Sequence, residues 1–163
     1  MYKSIISIYL NWLEKSMPKT YISDSQLKTK KIAADLAKEL LLKKGKTIIL
    51  GLEGDIGGGK TTFLQGFARG LGVKEKILSP TFVIMRRFKI NDLRFNNFYH
   101  LDCYRLKDQK EILDLGFKKI IKDRRNIVAI EWADIVKKAM PRKTIWIKFN
   151  VLAGKKRKIS ILK

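Results

Sequence analysis

Acidic residues are scarce in this chain: 15 Asp and Glu stand against 36 Lys and Arg, a formal charge of +21 over 163 residues. Cysteine is scarcer still, and the single Cys103 excludes any internal disulfide, which fits a reducing cytoplasm. No apolar run approaches the roughly 20 residues needed to span a bilayer. A soluble, cytoplasmic protein without membrane association is therefore expected. Internal repeats and linker-like segments are missing as well, so the chain is expected to form one mixed α/β unit rather than an array.

The basic excess has two readings. It would attract a polyanion, RNA being the obvious candidate, through steering and counterion release. It also suits a compositionally biased genome, because Lys outnumbers Arg by 27 to 9, the lysines are scattered and Ile is abundant. Only the tail Gly-Lys-Lys-Arg-Lys at residues 154–158 and the stretch 118–125 are locally dense. A hydrophobic content of 45% is globular, and the length suits one buried core, assigned to residues 19–163. Residues 1–18 are set apart as an N-terminal extension. Ile5, Ile6, Ile8, Tyr9, Leu10, Trp12 and Leu13 cluster there, but Asn11 and Glu14 interrupt them and no small-residue cleavage site follows. A short amphipathic helix is expected, or else a chain start at Met17.

Ile32, Ala33, Leu36, Ala37, Leu40 and Leu41 recur at helical spacing, with Ser23 or Asp24 to cap the helix and Gly45 to end it. A buried strand is expected at residues 47–52, and a helix carrying Phe63, Leu64, Phe67, Ala68 and Leu71 that Gly72 stops. Strands follow at 81–88 and 94–101, joined by a turn at Asn91 and Asp92. A helix at 109–121 is interrupted at Gly116, and strands at 126–132, 143–150 and 158–162 complete the pattern.

Between the first strand and the second helix lies Gly-Asp-Ile-Gly-Gly-Gly-Lys-Thr-Thr, residues 54–62, which satisfies the phosphate-loop pattern G-x-x-x-x-G-K-S/T in full. Gly57, Gly58 and Gly59 are expected to adopt positive φ and turn successive N–H groups inward at a helix N-terminus, where an anion binds. Lys60 offers a mobile positive charge to the β- and γ-phosphates of a nucleotide, and the Thr61 hydroxyl a neutral oxygen to magnesium. Strand, loop, helix is the order the motif requires. The fold class expected is α/β, of the P-loop nucleoside triphosphate hydrolase type, with a mixed sheet flanked by helices.

Hydrolysis also needs an acid near the metal. Glu131 ends the apolar strand Ile-Val-Ala-Ile, where a carboxylate would stand beside the loop and hold magnesium directly or through water. Asp102 closes another strand within His-Leu-Asp-Cys-Tyr-Arg-Leu, residues 100–106, and is expected to orient water or a metal-bound water. His100 reads as a structural hydrogen-bonding residue, and Arg105 as the partner of a carboxylate or of another protein. Thr81, in Ser-Pro-Thr-Phe at 79–82, sits either in a plain turn or where a switch threonine meets magnesium or the γ-phosphate. No Asn-Lys-x-Asp element reads guanine, which disfavours a GTPase. No arginine-rich lid helix lies between Gly72 and Asn126, which disfavours the alternative of a small-molecule kinase. A nucleic-acid-binding module with a degenerate ATP site is the remaining competitor.

The four motifs at 54–62, 79–82, 100–106 and 130–132, the last being Ile-Glu-Trp, together resemble the TsaE family, the P-loop ATPase component of the bacterial machinery that makes threonylcarbamoyladenosine in tRNA. Their order and spacing agree over roughly residues 20–160. The resemblance implies ATP bound by Ile56, Gly57, Gly58, Gly59, Lys60, Thr61 and Thr62, magnesium on Thr61 and Glu131, catalytic roles for Lys60, Asp102 and Glu131, and Trp132 close to the nucleotide. It further implies nucleotide contacts near Ser25 and at Gly154. As partners it implies the threonylcarbamoyl transferase subunit and its dimerising protein, with hydrolysis that is slow in the isolated chain, is stimulated by these partners and resets the complex between rounds.

Overall fold

The computed structural model describes residues 18–42, 46–80 and 82–163. The expected N-terminal helix at the chain start, the helix end at Gly45 and the switch-like Thr81 lie outside the described residues. Seven strands form one sheet: β1 (Lys19–Ser23), β2 (Ile48–Gly54), β3 (Met85–Lys89), β4 (Asn97–Asp102), β5 (Asn126–Glu131), β6 (Ile145–Val151) and β7 (Arg157–Leu162). Their order is β1-β7-β6-β2-β5-β4-β3. The inner strands β6, β2, β5 and β4 run parallel, and antiparallel partners close both edges. The mixed P-loop architecture expected from the sequence is the one found.

Period-two patterning sends alternate side chains of the inner strands to two separate cores. Ile48, Leu50 and Leu52 of β2 and Ile127 and Ala129 of β5 face α1 (Gln26–Leu41) and α2 (Lys60–Gly70). Ile49, Val128 and Ile130 face the opposite way, toward α3 (Gln109–Asp114), α4 (Phe117–Lys122) and a short 3-10 turn at Lys137–Ala139. Helices on both sides bury these strands completely, which is why they read as unbroken apolar runs.

The two large helices meet through small residues. A Cβ built on Gly66 would lie 2.3 Å from the Lys30 carbonyl oxygen, and one on Gly70 would lie 2.7 Å from that of Ala34. Nothing at these points is a flexible side-chain end, so a methyl group forces the helices apart. Gly66→Ala should therefore lower unfolding stability by about 1–3 kcal/mol despite the better helix propensity of alanine. Urea denaturation measures this, and an unchanged midpoint would show that the helices do not approach so closely.

Four local differences from the sequence expectation have physical causes. β1 was not expected; it is an edge strand whose residues are exposed except Ser23, so no apolar alternation marks it. Ser23 instead bonds inward to Thr29 and the Ser25 carbonyl, and Ser25, not Ser23 or Asp24, caps α1 by accepting from the Lys28 amide. β3 begins at Met85 rather than at residue 81, because the amides of Val83 and Ile84 fold back on the Pro80 carbonyl and Ile84 takes φ 61°. β4 starts at Asn97, later than residue 94, since Asp92 accepts from the amides of Arg94 and Phe95 and holds that segment in a turn. The helix at 109–121 is broken where expected, by Gly116 at φ 77°.

Candidate nucleotide site

β2 and β5 lie side by side in parallel, with Leu52 opposite Glu131, and Asp102 of β4 is the next position across. Three strand ends thus deliver the phosphate loop and both candidate carboxylates to one edge of the sheet, the carboxyl end, where open α/β sheets bind ligands. Among the described residues, Ile56, Gly57, Gly58, Gly59, Lys60, Thr61, Thr62, Asp102 and Glu131 line one cleft of about 490 Å³. Every one of these was singled out in the sequence.

The glycines act differently from one another. Gly57 and Gly59 take φ 72° and 102°, as expected, and Gly59 is the residue from which α2 starts. Gly58 departs from the expectation: its φ is not positive, and glycine is needed because a Cβ would stand 2.9 Å from the Asp55 carbonyl oxygen, to which its own amide bonds. The first-turn amides of α2 have no carbonyl partner inside the helix, so they and the loop form a positively polarised cup.

Lys60 is buried across the mouth of this cup. Its Nζ donates to the carbonyl oxygens of Gly54 and Asp55 and stands 3.7 Å from the centre of the Trp132 ring. Burial lowers its pKa, against the opposing pull of Glu131, Asp134, Asp102 and Asp55. Trp132 itself has φ 58°, an uncommon left-handed conformation for a bulky residue, and its ring lies 5.0 Å from that of Tyr104.

Thr61 Oγ1 donates to Glu131, at 2.8 Å from Oε2 and 3.1 Å from Oε1. The buried His100 reaches the same carboxylate, Nε2 standing 2.8 Å from Oε1. Asp102 is buried too; it accepts from Ser79 Oγ at 2.6 Å and from the Tyr104 amide at 3.0 Å. Cys103 is buried between the two acidic strand ends, and burial, with Asp102 and Asp134, pushes its thiol up to about 12, so it is not a nucleophile here.

Gly154 is not part of this cleft; it occupies the turn between β6 and β7 at φ 65°. The adjoining Lys155 and Arg157 do reach the loop, lining a second cleft of about 200 Å³ with Ser25, Gly57, Gly59 and Thr62. Arg157 donates to the Gly57 carbonyl at 3.3 Å. Arg105 lies over the Phe82 ring at 4.6 Å. Sequence reasoning missed Gln26, Ser79 and Tyr104 as cleft residues. Ser79 and Tyr104 lie inside the motifs at 79–82 and 100–106, but the pairing of Ser79 with Asp102, 23 positions away, has no signal in the sequence.

A family model described as threonylcarbamoyl adenosine biosynthesis protein TsaE matches residues 23–159. The tRNA threonylcarbamoyladenosine biosynthesis protein TsaE of Rickettsia felis is 36% identical over 142 residues, which is 86% of this chain and 78% of that protein. The protein of the same name from Bacillus subtilis is 36% identical over 112 residues, 69% of this chain and 67% of its own length. The crystal structure of Bacillus subtilis YdiB superposes with a TM-score of 0.70 at 26% identity, covering 89% of this chain and 84% of that one. With its phosphate loop, paired strand-end carboxylates and this extent of likeness, the chain belongs to the TsaE family.

Proposed function

We propose that this protein is a magnesium-dependent ATPase serving the formation of threonylcarbamoyladenosine on tRNA in the cytoplasm. The observation that carries the reading is the Thr61 hydroxyl, set at the base of the glycine loop and hydrogen-bonded to the Glu131 carboxylate of the neighbouring parallel strand. One hydroxyl and one carboxylate suit a hard cation that keeps most of its waters and takes further oxygens from phosphate. Among the described residues no cluster of three or more His, Cys, Asp or Glu could hold a metal, so the donor set is not that of a zinc site. Magnesium would supply charge neutralisation between the phosphates.

In this reading the chain's own groups divide the work. The amides of Gly57 and of Gly59 to Thr62 would donate to the phosphate oxygens in a fixed cup, the Gly58 amide being held by the Asp55 carbonyl, and Lys60 leaves its two carbonyl partners to meet the developing negative charge. Glu131 accepts the hydrogen bond of the Thr61 hydroxyl, which would leave that oxygen's lone pairs free for the metal. Asp102, held by Ser79 and the Tyr104 amide, has its acceptor oxygens fixed where they can orient a water. Lys155 and Arg157 extend the positive field along the loop, so part of the basic tail serves nucleotide, and tRNA contact falls to the rest of the basic surface.

Ile56 and Tyr104 of the cleft lining are exposed, as are Leu78, Phe82 and Val83 in the segment that carries the cleft residue Ser79. These exposed apolar groups support docking by a transferase subunit and its dimerising partner, which would cover the nucleotide and exclude water. ATP hydrolysis measured with the chain alone and then with both partner proteins tests this. A slow basal rate that rises on adding the partners is expected. An unstimulated rate would remove the coupling, and phosphate found on a small acceptor would make the protein a kinase.

A further inference from the structure

His100 is wholly buried on β4, yet only one of its ring nitrogens has a partner. Nδ1 has no hydrogen-bond partner among the described residues. Its ring stacks with that of Phe98, two residues earlier on the same face, with centroids 6.5 Å apart and planes 16° from parallel. A buried polar atom left unpaired lowers stability by its lost hydration. For stability alone the position would hold a second apolar ring, as the Phe98 position does. The one polar contact that offsets the cost is with Glu131 Oε1.

Resting on the nucleotide reading above, we propose that His100 is a positioning residue that fixes the plane of the Glu131 carboxylate, and through it the Thr61 hydroxyl, for the metal. A carboxylate only accepts, so Nε2 carries a proton and donates to Glu131 Oε1. Thr61 alone would leave the carboxylate free to pivot about one bond. The imidazole comes from a different strand, and parallel pairing of β4 with β5 sets its approach. Two donors on two sides leave the carboxylate one orientation. Outer partners of this kind change metal affinity by roughly 10–100-fold when removed.

The substitutions His100→Phe, His100→Gln and His100→Asn separate the donor from the ring. Glutamine carries an amide nitrogen near the place of Nε2, phenylalanine keeps the stacked ring without a donor, and asparagine is too short to reach. Binding of a fluorescent ATP analogue is titrated with magnesium chloride and, separately, in EDTA, with folding checked by circular dichroism. His100→Phe is expected to raise the magnesium concentration at half-saturation about tenfold or more while leaving binding in EDTA unchanged. His100→Gln should recover most of that loss, and His100→Asn little of it. If the phenylalanine variant does not fold, the glutamine and asparagine pair decides. Wild-type magnesium dependence in His100→Phe, or equal losses in Gln and Asn, overturns the inference and leaves the nucleotide reading standing. Absence of magnesium-dependent binding in the wild type overturns both.

Discussion

Lys60→Ala is expected to reduce ATP hydrolysis at least about 100-fold with the fold retained, because it removes the cation nearest to where phosphate charge develops. Removing the ammonium takes nothing from the sheet: its hydrogen bonds go to loop carbonyls of Gly54 and Asp55, which can be met by water at the cleft mouth. The same residue costs the nucleotide-free protein stability. Burial disfavours its charged form more than the four nearby acids favour it, so the folded state binds the lysine proton less readily than the unfolded chain. Stability should therefore rise as pH climbs toward the ordinary lysine pKa near 10.5, and Lys60→Met should abolish that part of the rise. Urea midpoints across pH 7 to 10 for both proteins measure the difference. A hydrolysis rate retained in Lys60→Ala would remove the phosphate loop from the chemistry altogether.

Such a cost is intelligible only as a functional one, and it illustrates what kind of information the sequence carried. The loop was legible because its constraints are local: three glycines, a lysine and a threonine must stand at fixed offsets for the backbone to turn and the helix to begin. Glu131 was legible because a strand-end acid after four apolar residues needs only the parallel pairing that the fold class supplies. The link between Ser79 and Asp102, and that between His100 and Glu131, depend on which strands become neighbours; His100 and Glu131 are 31 positions apart and meet only because β4 lies beside β5. β1 escaped for a related reason: an edge strand with one buried residue has no period to read, and its place is fixed by pairing with β7 at the far end of the chain. Gly58 was assigned to the right loop on the wrong ground, since close approach to Asp55 and not positive φ excludes a side chain there.

Glu131→Gln is expected to abolish turnover as fully as the lysine substitution, yet to do so with little change in shape. Glutamine is nearly isosteric; its amide oxygen can accept from His100 while its NH2 donates to the Thr61 oxygen, so the buried contacts persist while the metal loses an anionic ligand. Glu131→Ala also abolishes turnover but strips His100 of the one hydrogen-bond partner it has among the described residues; about 1–3 kcal/mol of stability should go with it. The pair distinguishes charge from packing in one experiment, with hydrolysis rates and urea midpoints as the two readouts. Glu131 is also the acid that most supports the charged form of Lys60. Lys60→Met and Glu131→Gln should therefore be non-additive: each alone strands the other's charge, whereas together they remove both. The double variant is expected to be more stable than the sum of the singles predicts, by roughly 0.5–3 kcal/mol. Strict additivity would mean that the two charges do not sense one another, and the cleft would then lack the low-dielectric character on which its action toward phosphate depends.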